Sequence, residues 1–211
     1  MVKLHLLTAA AASGTLSALV IVAGAQQSNG QSRAVTDHQS LRPVASFNAI
    51  ADTQARSVAL FQEAGKVLTH PRCVNCHPRG DSPTQTDAMR PHQPIVVRGA
   101  DGHGVPALQC SSCHHNANFD PARVPGDPQW HLAPREMAWQ GLSVGDICRQ
   151  IKDPARNGGK DLAAIVHHSA EDHLVGWGWN PGAGRTPAPG TQAESGALMK
   201  AWADTGAFCP T

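Results

Sequence analysis

Cys73-Val74-Asn75-Cys76-His77 and Cys110-Ser111-Ser112-Cys113-His114 repeat one pattern, Cys-x-x-Cys-His. This is the attachment signature of c-type haem. One edge of the macrocycle carries two vinyl groups, and two cysteines three positions apart each add a thiol to one of them. The histidine that follows then lies under the ring and binds iron through an imidazole nitrogen. The pattern predicts two haems c, one held by Cys73, Cys76 and His77 and the other by Cys110, Cys113 and His114. Any fold for this chain has to be built round both.

Two other chemistries use Cys-x-x-Cys. A zinc ribbon pairs two such knuckles across a loop of about 15–20 residues, but 33 residues separate Cys76 from Cys110. Zinc also gives no reason for a histidine after both knuckles. A thioredoxin-like dithiol needs one motif beside a βαβ pattern, not two in a region rich in proline and glycine. Haem is the reading that uses every residue of both motifs.

Composition agrees with a cofactor-built core. The 211 residues hold five tryptophans, four phenylalanines and no tyrosine, a thin aromatic supply that two porphyrins would supplement. Glycine (20) and proline (16) exceed a sixth of the chain, so loops are expected to be abundant. The expected fold class is mainly α and loop-rich, a small cytochrome c-like dihaem domain with few or no strands.

The N-terminus reads as a secretory signal. Lys3 precedes an uncharged, mostly apolar run from Leu6 to Val22, and Ala23-Gly24-Ala25 matches a small-x-small cleavage site. An uncleaved anchor is the alternative, although Ser13, Thr15 and Ser17 dilute the run. The expected organisation is a signal peptide at 1–25, a flexible leader at 26–46 and the dihaem domain at 47–211. No other stretch is long and apolar enough to span a bilayer, so a periplasmic protein with no membrane span after cleavage is expected. Bacterial haem attachment takes place on that side of the inner membrane. Such a compartment permits disulfides, and Cys148 and Cys209 remain to form one after the haem cysteines are assigned. Removing Lys3 takes the formal charge from +1 to 0, and no basic stripe points to nucleic acid. Arg72, Arg79, Arg90 and Arg98 cluster round the first motif and are candidates to pair with haem propionates.

Along the chain, Ala51, Ala55, Val58, Phe61, Ala64 and Leu68 fall at helical spacing, and Pro71 is expected to end that helix. Residues 78–106 read as loop, with a short extended piece at 94–98. Ser143 with Asp146 predicts a capped helix to about Lys152. A second helix is expected over 160–168, then a rigid aromatic loop over 176–182. Thr191-x-x-Glu194 is a capping box that opens a last helix through Leu198 and Trp202.

What fills the second axial position decides the chemistry. Histidine on both faces gives a carrier of low potential, methionine raises the potential, and an open face binds small molecules. Read from sequence neighbourhood, Met89, His92 and His103 are candidates beside the first motif. His131, Met137, His167, His168 and His173 are candidates beside the second, and His115 is placed to reach the other haem if the two are close. The favoured metal ligands are His92 for one iron and His131 or His168 for the other.

From His70 to Pro210 the chain resembles small exported dihaem c-type cytochromes described as the cytochrome subunit of isoquinoline 1-oxidoreductase. The likeness rests on the segments 70–78, 130–139, 147–154 and 177–182, and Leu198 to Trp202 resembles the last helix of single-haem cytochromes c. It implies an electron-accepting partner for a molybdenum hydroxylase. No residues resembling a molybdopterin, flavin or iron–sulfur site occur. The expectation is therefore a periplasmic electron carrier, more a cytochrome subunit than an enzyme, between a dehydrogenase donor and a respiratory acceptor. The alternative is a haem enzyme of peroxidase or nitrogen-oxide reductase type, or a haem-based sensor, with one open iron site.

Overall fold

A computed structural model describes Met1 and residues 40–211. The expected signal peptide, most of the expected leader and His38 lie outside the described residues. The packed body starts before residue 47: Leu41 is buried, and the Arg42 amide donates to Glu63 Oε1 at 3.0 Å.

Helix α1 spans Thr53–Leu68, its first turn capped by Asp52, which accepts from the Ala55 amide at 2.6 Å. Its apolar face buries Leu60, Phe61, Ala64, Val67 and Leu68. Proline does not end it. The chain leaves the helix at Thr69, and Pro71 takes the first position of a new helix, α2 (Pro71–Val74), where its missing N–H is no loss. His70 caps α2 by accepting from the Arg72 amide through Nδ1.

The long loop that follows carries two antiparallel pairs of two residues each, β1 (Thr84–Gln85) with β2 (Arg90–Pro91) and β3 (Gly104–Val105) with β4 (Leu108–Gln109). The extended piece expected over 94–98 joins neither pair. Pro94 has no amide to donate, and the Arg98 amide is taken by the Asp81 carbonyl at 2.7 Å.

Helix α3 (Val144–Lys152) starts at the expected cap, with Ser143 accepting from the Asp146 amide at 3.1 Å. Helix α4 (Leu162–Glu171) starts two residues later than expected because Asp161 is its cap. Residues 176–182 are not a plain loop. Asp172 caps a short helix, α5 (His173–Gly176), which runs into a 3-10 turn at Trp177–Trp179. The Thr191–Glu194 capping box is present and opens α6 (Gln192–Asp204).

The core forms where α6 packs on α1 and α4. Trp202, Phe61, Leu60, Leu198, Met199 and Ile147 are almost fully buried, with the Phe61 and Trp202 rings 4.8 Å apart. Cys148 and Cys209 form a disulfide across 61 residues. Beside it, Lys152 Nζ donates to the Ala207 carbonyl and Arg149 Nη1 to that of Pro210, so the C-terminal tail is fastened to α3. The protein is mainly helical and loop-rich, with six α-helices and four two-residue strands among the described residues. No helix among them is long and apolar enough to cross a membrane.

Candidate haem sites

The first motif straddles the end of α2. His77 stacks flat on Trp139, with ring centroids 3.5 Å apart and planes 9° apart, and its Nδ1 lies 2.6 Å from the Met137 carbonyl. The backbone repeats the tie, since the Trp139 amide donates to the His77 carbonyl at 2.9 Å. With Nδ1–H donated to a carbonyl, the imidazole is held as the tautomer whose Nε2 lone pair is free to bind a metal. Burial also pushes the His77 pKa down to about 4, so the ring is neutral at ordinary pH. The neighbouring thiols move the other way, Cys73 up to about 12 and Cys76 to about 11, again through burial.

These residues line a cavity of about 720 Å³ walled by Val67 and Leu68 of α1, Ile165 and His168 of α4, and Met199 of α6. Its size is in the range of ligand clefts, about 300–1,000 Å³. Two buried guanidiniums border it. Arg72 is 3 % exposed and Arg98 6 %. Arg72 pairs with Asp87 and Arg98 donates to the Ala133 carbonyl, yet the Nε of each has no partner, and neither has the buried Trp139 Nε1. A buried donor without an acceptor costs about 1–3 kcal/mol. An occupant with an apolar body and carboxylates would meet these needs, which is the chemistry of a porphyrin with its propionates. Arg79 and Arg90, the other two arginines expected there, are exposed.

The second motif sits on a 3-10 turn, Cys110–Ser112. Its backbone closes as the first does: the His114 amide donates to the Cys110 carbonyl at 2.9 Å, the His77 amide to that of Cys73 at 3.2 Å. His114 Nδ1 lies 2.7 Å from the Pro125 carbonyl, and the ring stacks on Trp130 at 4.8 Å and 15°. Trp177 stands edge-on to Trp130 at 4.9 Å. Each motif histidine thus has a carbonyl on Nδ1 and an indole behind its ring, and the single segment 125–139 supplies all four partners. That segment also joins the sites, because the Ala133 amide donates to the Cys76 carbonyl and the Leu132 amide to that of Gly102. The Cys110 thiolate is close enough to raise the Cys76 pKa.

The distal candidates do not follow sequence neighbourhood. His92, nearer the first motif in sequence, has its ring 5.9 Å from that of His114 and tilted by 58°. Imidazoles at that separation would both be within reach of one metal ion. His131 and His168, beyond the second motif in sequence, line the cavity of the first. His168 is close enough for its charge to lower the His77 pKa, and its Nδ1 lies 3.2 Å from Asp172 Oδ2, which leaves Nε2 free. The His131 ring lies 5.0 Å from that of His103, tilted by 37°. Met137 lends its carbonyl to His77, while Met89 is exposed. His167 and His173 pair with Glu171 and Asp127, and His115 is exposed.

Trp130 and Trp139, which back the two histidines, carry no role in a reading of the sequence. Each is brought to its histidine by a contact across the fold, Trp130 from 16 residues after His114 and Trp139 from 62 after His77. Among the described residues, no three His, Cys, Asp or Glu side chains converge as a bare metal site would need. No protein-family model, curated protein or solved structure matches this chain.

Proposed function

We propose that this protein is an exported electron carrier with two covalently attached haems c, passing electrons from a dehydrogenase, a molybdenum hydroxylase among the candidates, to a respiratory acceptor. The observation that carries the reading is the repeated setting of His77 and His114, each with Nδ1 on a carbonyl, an indole behind the ring and Nε2 free. Each haem would supply a one-electron iron couple. The chain's part is to anchor through Cys73 and Cys76 and through Cys110 and Cys113, and to ligate through His77 and His114. Arg72 and Arg98 would take carboxylates at the first site, and α1, α4 and α6 would keep water from it. His168 and His92 would fill the remaining axial positions.

A second reading draws on one observation. The His168–Asp172 pair borders the first cavity, and over an open iron it would be an acid–base pair, as a peroxidase, nitrogen-oxide reductase or sensor needs. One experiment tests both. The protein is expressed with the haem-ligation machinery, weighed intact, and its reduced spectrum recorded before and after carbon monoxide. Two added macrocycles and a spectrum unmoved by the gas are expected. No added macrocycle overturns the haem reading, and a gas-binding fraction replaces the carrier with the enzyme or sensor.

A further inference from the structure

The two motifs differ in what covers the residues between their cysteines. Those two residues border the edge of the macrocycle to which the thioethers are made. In the first motif, Val74 is 6 % exposed and Asn75 8 %. The β1–β2 pair lies over them: Thr84 Oγ1 donates to Asn75 Oδ1 at 2.6 Å, and Asn75 Nδ2 donates to the Thr86 carbonyl at 3.0 Å. In the second motif Ser111 and Ser112 are exposed and the turn buries no residue. We infer that the protein exchanges electrons with its partner at the face formed by the Cys110–Ser112 turn, and that the first site is an interior relay behind it. The inference rests on the two-haem reading.

The fold supplies the connection behind that face. Residues 99–102 line the first cavity, and Cys110 Sγ lies 3.9 Å from the Gly102 carbonyl. The Gly104 amide donates to the Arg98 carbonyl, and the Cys110 amide donates to that of His103, at 2.9 and 2.8 Å. Gly102, at φ +86, brings its backbone so close to the Leu132 carbonyl that a Cβ there would lie 2.7 Å from the oxygen. The two motifs are therefore held together by main chain rather than by mobile side chains.

The face also indicates the kind of partner. Residues 102–119 contain no Asp, Glu, Lys or Arg, Phe119 is 56 % exposed, and the charged side chains acting on the motif, Asp101 on Cys110 and Arg185 on His114, are one of each sign. A surface of this kind suits a one-electron redox protein with an uncharged, partly apolar docking patch. Exchange is then expected to depend weakly on salt. In each encounter the donor loses one electron and one ferric iron becomes ferrous, and no covalent bond changes.

The test gives the face a charge. Ser112→Lys and Ser112→Glu are compared with the wild type, and Glu136→Lys charges the exposed rim of the first cavity. Oxidation of the dithionite-reduced protein by hexacyanoferrate(III) and by hexaammineruthenium(III) is followed by stopped flow at low ionic strength. Ser112→Lys is expected to speed the anionic reagent and slow the cationic one, each by about threefold or more, with Ser112→Glu doing the reverse. Glu136→Lys is expected to move either rate less. Rates that ignore Ser112 in protein whose intact mass shows two macrocycles, or that follow Glu136 instead, overturn the inference. A mass lacking the macrocycle at Cys110 and Cys113 overturns the haem reading beneath it.

Discussion

His77 shows how burial fixes the charge state of an imidazole. An imidazole in water takes up a proton near pH 6.5, and a protonated ring cannot bind iron. Apolar surroundings hold the folded His77 pKa at about 4. Its neutral form is thus the folded form, and its contribution to stability is complete above about pH 6.5 and is lost as pH falls toward about 4. In protein prepared without haem, the His77 ring is expected to stay neutral from pH 8 to about pH 5, read by NMR titration of its ring protons. A transition centred near the ordinary imidazole value contradicts this. His92 and His168 supply a second residue-level prediction. His92→Ala and His168→Ala should each open one iron, so that carbon monoxide shifts about half of the haem absorbance in each single variant and all of it in the double variant. A variant that binds no gas removes that histidine as an axial ligand.

At the scale of elements, the first cavity depends on how closely α4 and α6 approach. Gly196 of α6 faces Ala170 of α4, and a Cβ on Gly196 would lie 2.5 Å from the Ala170 Cβ and 2.8 Å from its Cα. Backbone cannot yield as a side-chain tip does, so Gly196→Ala should push the helices apart. The expected cost is about 1–3 kcal/mol of unfolding free energy in urea, the range for overpacking. Because α4 carries His168, the same variant should also alter the spectrum of the first site, whereas Gln62→Ala on the exposed side of α1 should alter neither. The capping residues explain why these helices begin where they do. Asp52, Ser143, Asp161 and Thr191 each accept an otherwise unpaired amide of the first turn.

Over the whole molecule, loops outweigh the helical core, and two kinds of cross-link compensate. The Cys148–Cys209 bond closes 61 residues and holds the C-terminal tail against α3. Loop-closure entropy puts its contribution at about 4 kcal/mol. The Cys148→Ser, Cys209→Ser double variant is expected to lose about 2–4 kcal/mol in urea unfolding while keeping both haems. An unchanged midpoint would mean that the tail is held by its hydrogen bonds alone. The segment 125–139 is the other tie. It reaches both motif histidines through the carbonyls of Met137 and Pro125, and its Leu132 and Ala133 amides donate to the carbonyls of Gly102 and Cys76.

Local chemistry was legible in the chain itself. The helix caps and the pairing of Cys148 with Cys209 depend on residue type over a few positions or on simple elimination, so reading them required no fold. Pro71 was misread because its effect depends on whether it falls inside a turn or opens one, and the chain had already turned at Thr69. Partnerships across the fold were decided only by tertiary packing. Sequence order puts His92 beside the first motif and His168 beyond the second, yet the loop from 78 to 109 carries His92 over to His114, and the packing of α4 on α6 brings His168 to the wall of the first cavity. The indoles behind His77 and His114 were hidden for the same reason: a stacking contact leaves no periodic trace in the sequence when its two partners are brought together by long-range burial.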